Sequence, residues 1–306
     1  MITVMGATAS GKTALAVKLA QKLGAEIISA DSRQVYRGMN IGTGKDLNEY
    51  TIAGVQIPYH LIDIVDAGYR YNVYEYSRDF ITAYKSIAVR KKPVILCGGS
   101  GLYIEAVSNG YNLLTVPPDE QLRAEMETKS LDELKIILSS MKHLHNSTDT
   151  DNRKRAIRAI EIAKYQQNST VEPLQYPVAD NIFFEIRFDR EIRRKRITAR
   201  LKRRLTEGLI EEAKNLMDNG LTLDDMLFYG LEYKYLALYL TGNLAYDEMV
   251  EKLNIAIHQF AKRQMTWFRG MERRGANINV IDGELPDDEK LEQICAIIEL
   301  KSGNFL

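Results

Sequence analysis

The sequence predicts an α/β fold: a parallel sheet flanked by helices, with a small helical insertion. Three observations carry that expectation. A phosphate-loop motif stands between an apolar run and a helix-spaced segment at the start of the chain. Apolar runs of strand length then alternate with helical patterns, as they do in a parallel sheet covered on both faces. The alternation stops at Pro117-Pro118, and strand-like runs do not return until residue 182.

Residues 2–5 are a short apolar run, hence a buried strand. Residues Gly6, Ala7, Thr8, Ala9, Ser10, Gly11, Lys12 and Thr13 follow, and satisfy G-x-x-x-x-G-K-[ST] at every fixed position. Residues 12–22 have helical spacing, with Leu15, Leu19 and Leu23 on one face. In a strand–loop–helix setting such a motif cradles phosphate. Consecutive N–H groups curl around the oxygens, Lys12 adds a charge, and the helix presents its positive end. Thr13 offers a hydroxyl to a phosphate-bound Mg²⁺. The core is therefore expected to be P-loop NTPase-like.

Residues 26–29 read as a second strand ending at Ala30-Asp31-Ser32, and 94–97 as another, bracketed by Pro93 and Gly98-Gly99. Residues 71–90 between them have helical spacing. Ligands of such sheets sit beyond the carboxyl ends of the strands, so the phosphate loop, Asp31 and residues 98–101 should surround one crevice. Residues 118–179 carry helix-like segments at 120–127, 131–141 and 152–166, closed by a loop with Pro173 and Pro177. A unit of roughly sixty residues buries little core, so it is expected to lean on its host or a partner. A strand is expected at 182–188, helical segments at 190–219, 222–241 and 245–273 with stops at Gly220 and Gly242, and a last strand at 278–281. The expected domains are a core of 1–117 with 180–306 and a helical insertion of 118–179.

Composition narrows the function. The chain of 306 residues balances 41 basic against 41 acidic side chains, so no global charge marks a nucleic-acid binder. Basic residues are nevertheless blocked: four fall in 153–158 and nine in 190–204, which suits either a phosphate-rich partner or a solvated helix face. No apolar run is long enough to span a membrane and no export signal precedes the first strand, so a cytoplasmic protein is expected. Cys97 and Cys295 lie far apart in apolar stretches and read as buried thiols. His143 and His145 have no neighbouring ligand set for a metal.

Asp31, at a strand end beside the phosphate loop, can hold Mg²⁺ through water or take a proton from a nucleophile; the alternative is a helix N-cap. The strand at 94–97 leads into Gly98 rather than the Asp that often supports the metal, leaving a turn of N–H groups and the Ser100 hydroxyl. Such a turn suits an anionic leaving group, or is a plain strand-to-helix connection. Gly42-Thr43-Gly44-Lys45 has the wrong spacing for a second phosphate loop and reads as a flexible loop near the ligand. In 245–273, Met249, Leu253, Ile257, Phe260 and Trp267 form an apolar stripe expected in the core. His258, Lys262, Arg269 and Arg273 form a basic stripe that fits a polynucleotide backbone or a wet helix face.

Six stretches together resemble the tRNA dimethylallyltransferase family in its bacterial form. They are GATASGKT (6–13), ISADSRQVYRGMNIGTGK (28–45), PYHLIDI (58–64), PVILCGGSGLYIEA (93–106), RAIRAIEI (155–162) and AKRQMTWFR (261–269). They run in family order across nearly the whole chain. The resemblance implies that dimethylallyl diphosphate binds through the phosphate loop with Mg²⁺. The prenyl group then passes to N6 of the adenine at position 37, beside the anticodon, in tRNAs that read codons starting with U. It also implies that Asp31 is the general base or orienting acceptor, with Ser100 close to the reacting centre. Ser32, Arg33 and Gln34 stand at positions that contact the target nucleotide. Arg123, Lys154, Arg155, Arg158, Lys262, Arg263 and Gln264 match tRNA-contacting segments. The partners so implied are a tRNA anticodon stem-loop and dimethylallyl diphosphate, for a monomer without a membrane. A flipped adenine agrees with this picture, because a stacked base cannot reach a buried carboxylate.

Two positions depart from the family. Gly230-Leu231-Glu232 stands where the family has Gly-Tyr followed by Arg or Lys, a basic residue that helps bind diphosphate; Lys234 and Arg263 are candidates to replace it. His258 stands where the family tends to have Arg. Three other readings are a small-molecule kinase, prenyl transfer to free adenosine phosphates, and a tRNA-binding protein with a relic phosphate loop.

Overall fold

The computed structural model describes residues 1–111, 113–141, 150–168, 174–178 and 180–302. His143, His145 and Pro173 lie outside the described residues. The chain divides into two compact units, Met1–Tyr111 with Gln175–Leu306, and Asn112–Leu174.

The larger unit is built on a six-stranded sheet. Its elements in chain order begin β1 (Ile2–Gly6), α1 (Lys12–Leu23) and β2 (Glu26–Ala30). A 3₁₀ turn (Leu47–Tyr50) leads to the small antiparallel pair β3 (Thr51–Ile52) and β4 (Val55–Gln56). Then come β5 (Tyr59–His60), α2 (Val73–Val89), β6 (Val94–Gly98) and α3 (Gly101–Ser108). The sheet order is β5-β2-β6-β1, continued by β7 (Ile182–Arg187) and β8 (Ile278–Asp282), and every pairing is parallel. Ile2 and Val4 join Leu15, Leu19 and Phe184 in a core on one face. Thr3 and Met5 point to the opposite face by strand alternation, and both are buried. Burial on both faces explains why β1, β2 and β6 read as apolar runs rather than alternating ones.

In the smaller unit, α4 (Glu120–Met126), α5 (Leu131–Met141) and α6 (Arg153–Asn168) enclose a core of Leu122, Met126, Leu134, Leu138, Ile157 and Ile160. Glu161 is buried beneath it and accepts from the Asp119 N–H at 2.6 Å and from Arg123 Nε at 3.0 Å, with Arg158 also bound. Arg158 donates to the Val116 carbonyl at 2.8 Å, which ties the chain before Pro117 to this unit.

Beyond β7 the helices are shorter and more numerous than their spacing predicts. They are α7 (Arg190–Thr206), α8 (Leu209–Asp218), α9 (Leu223–Phe228), α10 (Leu231–Leu240) and α11 (Tyr246–Arg273), with α12 (Asp287–Ser302) after β8. The extra breaks fall at Gly208 (φ 102°) and Gly230 (φ 122°), in a backbone region that side chains avoid and that helices cannot continue through. No helix of the described residues is long and apolar enough to cross a membrane.

Candidate active site at the carboxyl edge of the sheet

The phosphate loop spans the end of β1 and the start of α1, and its geometry leaves little room for side chains. A Cβ on Gly6 would meet Ser10 Oγ at 2.6 Å and the Ile186 carbonyl at 3.0 Å. Ala9 (φ 63°) and Gly11 (φ 77°) take left-handed conformations of the kind that build anion-binding backbone nests. The loop is clamped from α11. Gln264, 7% exposed, accepts from the Thr8 N–H at 2.9 Å and donates to the Gly99 carbonyl at 2.8 Å. Its amide is thus taken up by the protein's own loops. Arg196 Nε donates to the Ala9 carbonyl at 2.9 Å from the other side.

The neighbouring strands bring the rest of the site. β2 ends at Ala30, and Asp31 follows at the mouth of the crevice, where its Oδ1 accepts the Arg33 N–H at 2.9 Å. This local turn fixes one carboxylate oxygen and leaves the other to the cleft. Gly98 closes β6 so near Ala30 that a Cβ would overlap the Ala30 carbonyl. That contact brings Ser100 onto the Asp31–Ser32 turn: its hydroxyl accepts the Ser32 N–H at 3.0 Å and lies 3.3 Å from Ser32 Oγ. Gln34 is buried, held by Ser29 Oγ at 2.9 Å and bonded to the Gly44 carbonyl at 3.0 Å.

These groups line one cleft of about 690 Å³. Thr8 to Thr13, Asp31, Ser32, Arg33, Gln34, Ser100, Arg263 and Gln264 all border it. Sequence reasoning missed what α7 contributes. Arg196, Arg200 and Arg204 recur every fourth residue, so one helix face sends three guanidinium groups into the cleft. That i, i+4 recurrence was the available signal inside the basic block. The loop 42–45, expected to be flexible, is pinned. The Glu212 carboxylate accepts the N–H groups of Asn40, Ile41 and Gly42 at 2.8 to 2.9 Å and the Tyr233 hydroxyl at 2.7 Å. Lys45 is fully buried and bonded to Asp63 and the Tyr36 carbonyl, so it does not reach the ligand. Phe260, expected in the core, is 38% exposed and borders the cleft with Phe228, over which Arg33 is stacked at 4.9 Å.

Electrostatics follow from this crowding. Burial lowers the pKa of Lys12, and the Arg200 and Arg204 charges lower it further, against an opposing pull from Asp31. Burial raises the pKa of Glu232 despite the Arg204 and Arg200 charges nearby. His258 faces α7, with Nε2 3.1 Å from Thr198 Oγ1, and burial with Arg194 and Arg193 favours its neutral form. It is therefore not part of a basic stripe. Lys262, Arg269 and Arg273 stay exposed.

The remaining tRNA-binding candidates lie in the helical unit. Lys154 and Arg155 are exposed, Arg155 paired with Asp151 at 2.8 Å. Arg123 and Arg158 have a structural partner in Glu161. Among the described residues no cluster of three His, Cys, Asp or Glu side chains could hold a metal. Thr13 at the loop, with carboxylates across the cleft, fits instead the kind of Mg²⁺ that is bound chiefly by phosphate oxygens and water.

The IPP transferase family profile matches residues 34–271. The chain is 57% identical over 291 residues to "tRNA dimethylallyltransferase 2" of Bacteroides fragilis, covering 95% of each chain. It is 56% identical to "tRNA dimethylallyltransferase 1" of Porphyromonas gingivalis, across 99% of this chain and all of that one. Among solved structures it is similar to the full-length tRNA isopentenylpyrophosphate transferase of Bacillus halodurans, with 32% identity and a TM-score of 0.71 over 98% of this chain and 95% of that one. A eukaryotic dimethylallyltransferase acting on tRNA, 23% identical, shares the fold at a TM-score of 0.74, over 92% of this chain and 73% of that one.

Proposed function

The chain belongs to the IPP transferase family and is a tRNA dimethylallyltransferase, and we propose how its cleft performs the transfer. Dimethylallyl diphosphate lies with its diphosphate on residues 6–13, held by the loop N–H groups and Lys12. The acceptor is N6 of the adenine at position 37, beside the anticodon, in tRNAs that read codons starting with U. It enters the cleft flipped from its stack, beside the turn that carries Asp31, Ser32 and Ser100. The N6–C1 bond forms as the C1–O bond to diphosphate breaks. Asp31 takes the proton released from the amine, and diphosphate leaves on the phosphate loop. Thr13 would hold a Mg²⁺ that arrives with the diphosphate, and such an ion would supply charge neutralisation for the leaving group.

The observation that carries this reading is the juxtaposition in one cleft of a phosphate loop, Asp31 with Ser100 beside it, and the α7 arginines. Lys154, Arg155, Lys262 and Arg263 supply charge toward the anticodon stem-loop, and Arg123 and Arg158 act there through the Glu161 cluster that they complete. Ser32, Arg33 and Gln34 border the space for the nucleotide, and Gln264 acts through the two loops it bonds. The protein works as a cytoplasmic monomer in this reading.

The test is incubation with Mg²⁺, dimethylallyl diphosphate and bacterial tRNA lacking the modification, followed by digestion and mass analysis of the nucleosides. Prenylated adenosine from position 37, absent with Asp31→Ala, is the expected result. Transfer to free adenosine phosphates in place of tRNA, or ATP-dependent phosphorylation of a small molecule, would replace the reading.

A further inference from the structure

Arg204, on the last turn of α7, is 6% exposed, and its Nη2 is buried without a hydrogen-bond partner. The Asp46 carboxylate lies 3.8 Å from it, beyond hydrogen-bond length, and already accepts from Arg200 at 2.8 Å. A buried charged donor without an acceptor is costly, and a folded protein keeps one where something else supplies the acceptor. Gly44 is the residue that admits the Arg204 side chain: a Cβ at that position would overlap the guanidinium groups of both Arg200 and Arg204. Arg204 borders the main cleft with the phosphate loop, and also a small cavity behind it lined by Thr8, Ala9, Arg200 and Glu232.

Three cations therefore converge on one loop. Lys12, Arg200 and Arg204 repel one another there, and Asp46 is the carboxylate bonded to that group. Burial and the Arg200 charge pull the pKa of Arg204 down to about 10, which still leaves it charged at neutral pH. Such crowding suits an anion with several charges and several acceptor oxygens. The start of α10, bordering the same cleft, adds Glu232 and, two residues on, Lys234.

We propose that Arg204 is a diphosphate-binding residue of this chain. The proposal rests on the placement of diphosphate made above. Diphosphate oxygens supply the acceptors that Nη2 lacks.

Inorganic pyrophosphate with Mg²⁺ is the probe, titrated calorimetrically into the full chain, alongside KM for dimethylallyl diphosphate. Arg204→Met should weaken pyrophosphate binding and raise that KM by about tenfold or more, the scale of one missing charge-assisted pair, with tRNA affinity unchanged. Adding Glu232→Arg to Arg204→Met should recover most of the affinity, because it returns a cation to the same space. If Arg204→Met does not melt cooperatively, Arg204→Gln, neutral but able to hydrogen-bond, should show the same loss. Pyrophosphate affinity within twofold of the parent in either folded variant would overturn the assignment. Lys12→Ala separates the two levels. If it loses pyrophosphate while the Arg204 variants do not, Arg204 alone is misassigned; if it binds pyrophosphate as tightly as the parent, the placement of diphosphate on the loop fails.

Discussion

Asp31 is held by a bond that costs it nothing chemically. One oxygen accepts the Arg33 N–H, which orients the carboxylate, and in the proposed reaction the other takes the amine proton. Asp31→Ala should therefore fold normally and lower turnover by about 10²-fold or more, the usual contribution of a positioned base. Single-turnover rates with unmodified tRNA would measure it, and a near-parental rate would remove Asp31 from the chemistry. Lys12→Ala should instead raise KM for dimethylallyl diphosphate far more than it lowers kcat. Ser100 borders the cleft and accepts the Ser32 N–H, so Ser100→Ala is expected to loosen the Asp31–Ser32 turn and cut turnover less than Asp31→Ala does. Cys97, whose thiol burial pushes up to about 12, should resist alkylation in the folded protein.

At the level of elements, the cleft depends on where α3 and α11 meet. Glu105 is 1% exposed and accepts from Trp267 Nε1 at 2.9 Å and from Arg274 Nε and Nη2, both at 2.7 Å. The Trp267 ring lies over Gly101, where a Cβ would overlap it. Since Gln264 clamps the phosphate loop from the same helix, Glu105→Ala should disturb the site at a distance as well as the fold. Arg274 is half exposed and can turn to water, so the main loss is the acceptor of the Trp267 N–H, about 1–3 kcal/mol. The expected result is a clearly lower midpoint in urea together with weaker diphosphate binding. Glu232, at the start of α10, makes a pH-dependent contribution of the opposite kind. Its pKa is raised by burial, so the folded state holds more protons than the unfolded state between the usual carboxylate value and the raised one. Stability falls with pH across that window. Glu232→Gln should therefore raise the melting temperature at neutral pH and lose that advantage as the pH falls to the usual carboxylate range. A gain of equal size at all pH values would contradict the assignment.

The whole molecule is electrically neutral, yet its cations are not spread evenly. Part of the charge in the helical unit is structural: Arg123 and Arg158 neutralise the buried Glu161. Lys154 and Arg155 stand exposed on α6. Replacing Lys154 and Arg155 by Ala should flatten the dependence of tRNA affinity on salt, since the slope drops by somewhat less than one for every phosphate the protein stops neutralising. Filter binding across a salt series would measure this, with melting temperature nearly unchanged. Arg158→Ala should by contrast lower the melting temperature of the helical unit through Glu161. An unchanged slope in the double variant would return α6 to an ordinary solvated face.

Short-range patterns determined much of this protein from sequence. The phosphate loop, the buried strands β1, β2 and β6, and Asp31 at the end of β2 were legible because a motif and an apolar run need only neighbouring residues. The breaks at Gly208 and Gly230 were not, since a glycine reads as a stop only once its φ is known. Lys45 looked like a loop cation and proved a buried core group, because its partners Asp63 and Tyr36 come from elsewhere in the chain. Gln264 likewise became a clamp through Thr8 and Gly99. Above all, the sequence marked residues 190–204 as basic but did not say which side faced solvent. Tertiary packing turned Arg196, Arg200 and Arg204 toward the phosphate loop, because charge chooses its role by what a helix face meets, and that partner lies nearly two hundred residues away in the chain.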